Sequence, residues 1–185
     1  MRLNAWLFVD KVRERVTRYY HKRTFLSRIG QRKPATTKCT ILGKVHVNAT
    51  NVSVGRNVTI YPGVYFWGDG EIVIGDNCDI GIGTVIFASK QGGVRIGSNV
   101  SIAAYCYLID SNHGMCRETL IQMQPIESQP VAIGDDVWIG AHCAVIKGAK
   151  ICRGAVIGAG AVVNSEIPEY SIAVGTPARV VRERG

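Results

Sequence analysis

A repeat of six residues runs through most of this chain and leaves few folds open to it. Aliphatic residues recur six apart at Val54 and Ile60, at Ile74, Ile80 and Ile86, and at Ile96, Ile102 and Leu108. The longest series is Ile133, Ile139, Val145, Ile151, Ile157 and Val163. Glycine follows at Gly55, Gly75, Gly81, Gly97, Gly134, Gly140 and Gly158, as crowded turns or a positive φ would require. Four positions after the aliphatic residue comes a small or β-branched one, such as Val58, Cys78, Thr84, Cys106, Cys143, Ala149, Ala155 or Ala161. A period of six fits neither a 3.6-residue helix nor a hairpin meander. It fits a prism in which each hexad supplies a short strand and a turn, and three hexads close one coil. The aliphatic residues then stack in ladders inside, and the small slot falls near a corner. Cysteines in that slot read as small buried hydrophobes.

The register breaks three times. Two residues are inserted around Trp67–Gly70, four around Ser89–Gly93, and a long excursion runs from about Asn112 to Pro130. Loops thrown out of a rigid solenoid are the natural place for function. Before the repeats, Leu3, Trp6, Leu7, Val9, Val12, Val16, Tyr19 and Tyr20 recur at helical spacing among Arg13, Arg15, Arg18, Lys22 and Arg23. This predicts a basic amphipathic helix. It suits capping of the open end of the first coil, the plainer reading, and also contact of residues 1–30 with an anionic membrane surface.

Charge supports a division at residue 38. Residues 1–38 hold eleven Lys/Arg against Asp10 and Glu14, a net of +9, while residues 39–185 hold eleven against twelve acidic residues, a net of −1. We therefore expect a basic helical arm over 1–38 and one solenoid domain over 39–185. A near-neutral body without aromatic-basic interleaving argues against nucleic acid as a partner. No run of 18 apolar residues exists, and the apolar start runs into Asp10 and Lys11 without a small-residue cleavage site. The expected compartment is the cytoplasm, with peripheral contact at the inner membrane face left open. The six cysteines form no CxxC pair and are expected as free thiols.

Of four histidines, His113 stands out. It opens the long excursion in Ile109-Asp110-Ser111-Asn112-His113-Gly114, and an imidazole can take a proton from a hydroxyl or amine near neutral pH. His21 and His46 have no evident partner, and His142 sits beside the small slot of a regular repeat. Four Asn-X-Ser/Thr sequons, at Asn48, Asn51, Asn57 and Asn99, mostly fall in hexad turns, where Asn tolerates unusual φ.

Over roughly residues 40–180 this register resembles the hexapeptide-repeat family, whose members fold as left-handed parallel β-helices and commonly form trimers. The general right-handed crossover rule would have indicated the opposite hand. Within that family the His113 loop, followed about 25 residues on by Val137-Trp138-Ile139-Gly140, resembles the sugar O-acetyltransferases, including galactoside and maltose acetyltransferases and those acting on surface polysaccharides. The resemblance implies acetyl-CoA as acyl donor, no metal, a sugar acceptor, and direct transfer at sites between subunits of a homotrimer. His113 would be the general base. Asp110 would orient the imidazole or bind sugar, Asn112 would contact the acceptor, and Trp138 would wall the acetyl pocket. A backbone N–H near Gly140–Ala141 would stabilise developing negative charge. Gly140, Ala141, Ala159, Asn164, Arg179 and Arg182 occupy positions matching the coenzyme groove, although relatives often carry Ser or Thr where this chain has Ala141 and Asn164.

Three other readings compete. An N-acetyltransferase acting on a nucleotide-linked sugar uses the same machinery. A carbonic anhydrase of the same fold would need three converging histidines, and His46, His113 and His142 lack that spacing. A non-catalytic solenoid docking through its basic arm would leave the His113 loop without a purpose.

Overall fold

The computed structural model describes residues 2–29 and 39–185. Residues 30–38 of the basic arm, and the side chains of Leu3, Trp6, Leu7 and Val9, lie outside the described residues. One α-helix (Arg2–Arg28) precedes a parallel β-solenoid with three faces. The first face stacks Thr40–Ile41, Thr59–Ile60, Asp79–Ile80, Ser101–Ile102, Trp138–Ile139, Val156–Ile157 and Ser171–Val174, closed by the antiparallel Arg179–Glu183. The second and third faces share the bent strands His46–Val54 and Tyr65–Ile74. Above these, Val85–Phe87, Tyr107–Ile109, Ala144–Val145 and Val162–Val163 continue the second face. Val94–Ile96, Val131–Ile133, Lys150–Ile151 and Glu166–Ile167 continue the third.

The ladders explain the repeat. Ile60, Ile80, Ile102, Ile139 and Ile157 stack in register and are buried, as are the slot residues Val58, Cys78, Val100, Val137 and Ala155. Three slot thiols donate to carbonyls one coil up: Cys78 to Gly97 (3.1 Å), Cys106 to Gly140 (3.2 Å) and Cys143 to Gly158 (3.1 Å). Of the two reasons for glycine after each aliphatic residue, crowding is the one that operates. A Cβ on Gly140 would fall 2.5 Å from the Ala159 nitrogen, and positive φ occurs two residues later, at His142 and in the stacked Asn57, Asn77 and Asn99. Those asparagines also form a ladder, Asn57 Nδ2 donating to Asn77 Oδ1 (3.0 Å) and Asn77 Nδ2 to Asn99 Oδ1 (3.1 Å).

Register offsets measure each coil. Trp138 pairs with Val156, a coil of three hexads, whereas Thr59 pairs with Asp79, Asp79 with Ser101, and Ser101 with Trp138. The extra residues are two, four and nineteen, and all three insertions stack at one corner, between the second and third faces. The outward surfaces differ. The second face presents Tyr65, Trp67, Val85, Phe87, Tyr107, Ile109, Ala144 and Val162. The third presents Glu71, Arg95, Lys150 and Glu166, with ion pairs Arg95–Glu71 and Lys150–Glu166. At the open end, Phe25 and Leu26 of the helix are buried with Cys39 and Ile41, and Phe25 meets Phe66 at 5.9 Å between ring centroids. Burial of two such side chains is worth about 2 kcal/mol each, so the helix does cap the first coil. No helix among the described residues is long and apolar enough to cross a membrane.

Candidate active site

The long excursion leaves the solenoid as a two-stranded ribbon, Ser111–His113 against Ile126–Ser128, with His113 opposite Ile126. His113 is exposed at the outgoing end, and no side-chain hydrogen bond of its ring occurs among the described residues. Asn112 is half-buried beside it. Beyond them the loop exposes Met115, Leu120, Ile121, Met123 and Ile126.

Asp110 sits at the root and is fully buried. Its carboxylate accepts the Ser89 N–H (2.8 Å), the Ser89 hydroxyl (3.0 Å) and the Gly93 N–H (2.5 Å). With its proton on Asp110, Ser89 Oγ accepts from the Ser128 hydroxyl 2.7 Å away. The Asp110 carbonyl accepts the Gln129 N–H at 2.9 Å, so both roots of the ribbon meet here. A Cβ on Gly92 would lie 2.2 Å from the carboxylate, which explains a glycine there. Neither carboxylate oxygen is hydrogen bonded to His113, so in this structure Asp110 positions the loop as a whole. The sequence marks Ser89, Gly92 and Ser128 only as parts of insertions, with no role attached. Their signal was the four-residue insertion one coil before the excursion.

The remaining candidates gather on the first face. Trp138 is 57% exposed and stands in an outward column with Val156, Ile172 and Arg182. A bulge in the closing pair, between Ile172 and Ala173, puts Arg179 opposite Val174 and Arg182 opposite Ile172. Directly opposed residues share a face, so both arginines point outward although they are three apart. Three rungs at about 4.8 Å place Arg182 about 14 Å from Trp138 along the stack. At the adjoining corner Gly140 donates its N–H to Ile157 (2.8 Å), which removes it as a donor to any ligand. The N–H groups of Ala141 and Ala159, stacked in successive turns, have no backbone acceptor among the described residues. Below Trp138 a cleft of about 310 Å³ is lined by Tyr61, Asp79, Ile82, Ser101 and Ala104. Asp79 and Ser101 share Trp138's hexad phase, a signal that sequence reading passed over.

Asn164 is exposed just past Val162–Val163, at the loop's corner, away from Ala141 and Ala159, while the closing segment returns over Val162, whose carbonyl accepts the Ala178 N–H (2.8 Å) one residue before Arg179. The structure therefore forms two clusters, Asp110, Asn112, His113 and Asn164 on one side of the second face, and Trp138, Ala141, Ala159, Arg179 and Arg182 on the other. His142 stacks on Tyr105 (5.3 Å, 18°) and His46 on Tyr65 (5.3 Å, 17°). No group of three metal-ligating side chains occurs among the described residues.

Two family models match, bacterial transferase hexapeptide (six repeats) over residues 130–165 and hexapeptide repeat of succinyl-transferase over 71–108. The chain is 37% identical over 131 residues to galactoside O-acetyltransferase of Escherichia coli K12, covering 71% of this chain and 63% of that protein. WbbJ of the same organism, named for lipopolysaccharide biosynthesis O-acetyl transfer, is 30% identical over 146 residues, 74% of each chain. A Mycobacterium tuberculosis protein named as an acetyltransferase is 44% identical over 117 residues, and the chain spans 38% of its length. Among solved structures, AntD, an N-acyltransferase from Bacillus cereus in complex with dTDP and coenzyme A, shares the fold (TM-score 0.69, 20% identity, covering 80% of this chain and 82% of that one).

Proposed function

Because the chain belongs to the family of bacterial hexapeptide-repeat transferases, we propose that it transfers an acetyl group from acetyl-CoA to a sugar hydroxyl, with His113 as general base and each active site shared between two copies of a homotrimer. The observation that carries this reading is the apolar second face, flanked on one side by the His113 loop and on the other by the Trp138 cluster. Three copies packed by that face around a threefold axis would lay the loop of one against the first face of the next. The exposed Met115, Leu120, Ile121 and Met123 would be covered in the same step. The charged third face would stay in water.

The residues present fit the donor. The column Trp138, Val156 and Ile172 is apolar and suits a pantetheine arm, while Arg179 and Arg182 at its end suit phosphates. Acetyl-CoA supplies the activated acetyl thioester. His113 removes the proton from the acceptor hydroxyl as that oxygen attacks, and Ala141 N–H is the donor open to the carbonyl oxygen where negative charge develops; the carbon–sulfur bond then breaks and coenzyme A leaves as the thiol, taking the proton from His113. The cleft below Trp138 would take the acceptor, with Tyr61 and Trp138 against a sugar ring and Asp79 and Ser101 accepting or donating to hydroxyls. Two relatives named for O-acetyl transfer to a galactoside and in lipopolysaccharide biosynthesis favour a glycan hydroxyl in surface polysaccharide formation over an amine on a nucleotide-linked sugar. A glycan on a lipid carrier would also bring the reaction to a membrane face, where a basic helix is at home.

The test is thiol release from acetyl-CoA against glycosides, lipid-linked glycan fragments and nucleotide-linked amino sugars, with wild type and His113→Ala side by side. Turnover on glycan hydroxyls that collapses in the variant is expected. Turnover on the amino sugars alone replaces the O-transfer reading, and turnover untouched by the substitution removes His113 as base.

A further inference from the structure

The N-terminal helix uses one side to cap the solenoid and leaves another bare. On a helical projection Val12, Val16, Tyr19 and Tyr20 fall within an arc of about 100°. All four are strongly exposed, Val16 at 63% and Tyr20 at 66%. The side that meets the solenoid is the opposite one. Phe25 is buried there, and an open groove against Leu42 is lined by Asp10, Arg13, Glu14, Thr17 and Arg18, while Leu26, two turns past Tyr19 at the edge of the stripe, is buried where the helix meets the first coil. Both acidic residues of the helix thus lie on the groove side, exposed to water but away from the stripe. Arg13 and Arg15 border the bare stripe, and Arg23 lies within it, its guanidinium 5.9 Å from the Tyr19 ring.

We propose that this stripe docks the protein on an anionic lipid bilayer. The charge distribution selects that occupant. Cations ring the stripe and carboxylates are held away from it, which matches a negatively charged surface. Tyrosines with an apolar ring and polar tip suit the headgroup boundary. Four modest apolar residues would partition weakly alone, so the electrostatic contribution dominates, each basic residue near such a surface being worth roughly five-fold in partitioning. If the trimer proposed above forms, three helices share one end of the molecule and bind together. Docking by a single helix stands apart from that reading.

The experiment is flotation of the full chain with phosphatidylcholine vesicles, with and without about a third of phosphatidylglycerol, beside a Val16→Ser/Tyr19→Ser and an Arg13→Glu/Arg15→Glu variant. Helix content and acetyl transfer to a soluble acceptor check that the variants fold. The expected result is binding to the anionic vesicles only, lost at high salt, and reduced at least ten-fold in both variants. Equal binding to neutral vesicles, no binding to anionic ones, or variants that bind like wild type would overturn the proposal. So would a drop in oligomer size on Val16→Ser/Tyr19→Ser, which would assign the stripe to a second copy. Membrane binding without turnover would leave docking intact and remove the catalytic reading.

Discussion

The carboxylate of Asp110 accepts both the backbone N–H and the hydroxyl of Ser89, one coil earlier in the solenoid. A fully buried carboxylate at the foot of a loop that carries an exposed histidine is a mechanical joint. It fixes where the loop starts, and the Gln129 N–H on the Asp110 carbonyl fixes where it returns.

Asp110→Asn therefore turns an amide nitrogen or a weaker acceptor toward N–H donors with nowhere else to go. The expected cost is roughly 3 kcal/mol, about 6–12 °C in Tm for a chain of this size. kcat should fall with little change in the KM for acetyl-CoA. The pH–rate profile should keep its shape, since Asp110 does not touch the imidazole. A displaced acid limb in that profile would show instead that Asp110 acts on His113 directly. Ser89→Ala should follow the same direction at a fraction of the cost.

Ala141 offers a cleaner perturbation than most backbone donors. Pro62 occupies the stacked equivalent of Ala141 three coils below Trp138–Ile139, so this turn accepts proline. Ala141→Pro removes the N–H alone. Loss of one such donor is expected to lower kcat by about a hundred-fold or more, while Ala141→Gly, which keeps the N–H, should retain most activity. Equal rates for the two would place the charge-stabilising donor elsewhere.

Arg179 and Arg182 predict a salt-dependent contact with the coenzyme. Arg179→Ala and Arg182→Ala should each weaken coenzyme A binding by about ten-fold and flatten its dependence on ionic strength. Dephospho-coenzyme A and coenzyme A, titrated by calorimetry against both variants, would reveal which arginine reads the ribose phosphate. Unchanged affinity in both variants would return them to the solvated tail of the closing hairpin.

The cysteines predict a pattern of labelling. Burial pushes the Cys78 thiol up, and Cys39 to about 11, whereas Cys116 is exposed with its thiol donating to Glu118. Under native conditions Cys116 should react first with a thiol reagent, the half-buried Cys152 slowly, and the other four only after denaturation. Rapid native labelling of Cys106 or Cys143 would contradict the packed slot.

Much of this architecture was legible because a solenoid repeats its reasons. The phase of Ile133 to Val163 identified the inward ladder, and the three register breaks located the insertions to within a residue or two. The family resemblance added the hand of the helix, which periodicity does not carry. The site was legible residue by residue but not as an arrangement. His113 and Trp138 are 25 residues apart, yet they flank opposite sides of the second face, and only the stacking of coils separates them. Gly140 matched the coenzyme groove through the family resemblance, but its N–H is spent on the coil above. Asn164 matched the groove through the family resemblance and lies at the loop's corner instead of beside the alanines. Asp110 looked catalytic from its place three residues before His113, and the insertion at Ser89–Gly93 that claims its carboxylate sits in another coil.

The central claim is that a complete site exists only between copies, and subunit complementation tests it most directly. His113→Ala and Ala141→Pro, each inactive alone, are unfolded together in equal amounts, refolded and assayed for thiol release with the preferred acceptor. If each site takes its histidine from one copy and its Ala141 from the next, random trimers carry about one intact site in four, and activity should return to roughly a quarter of wild type. Activity no greater than the sum of the two separate variants would contradict the shared site and place both groups within one chain.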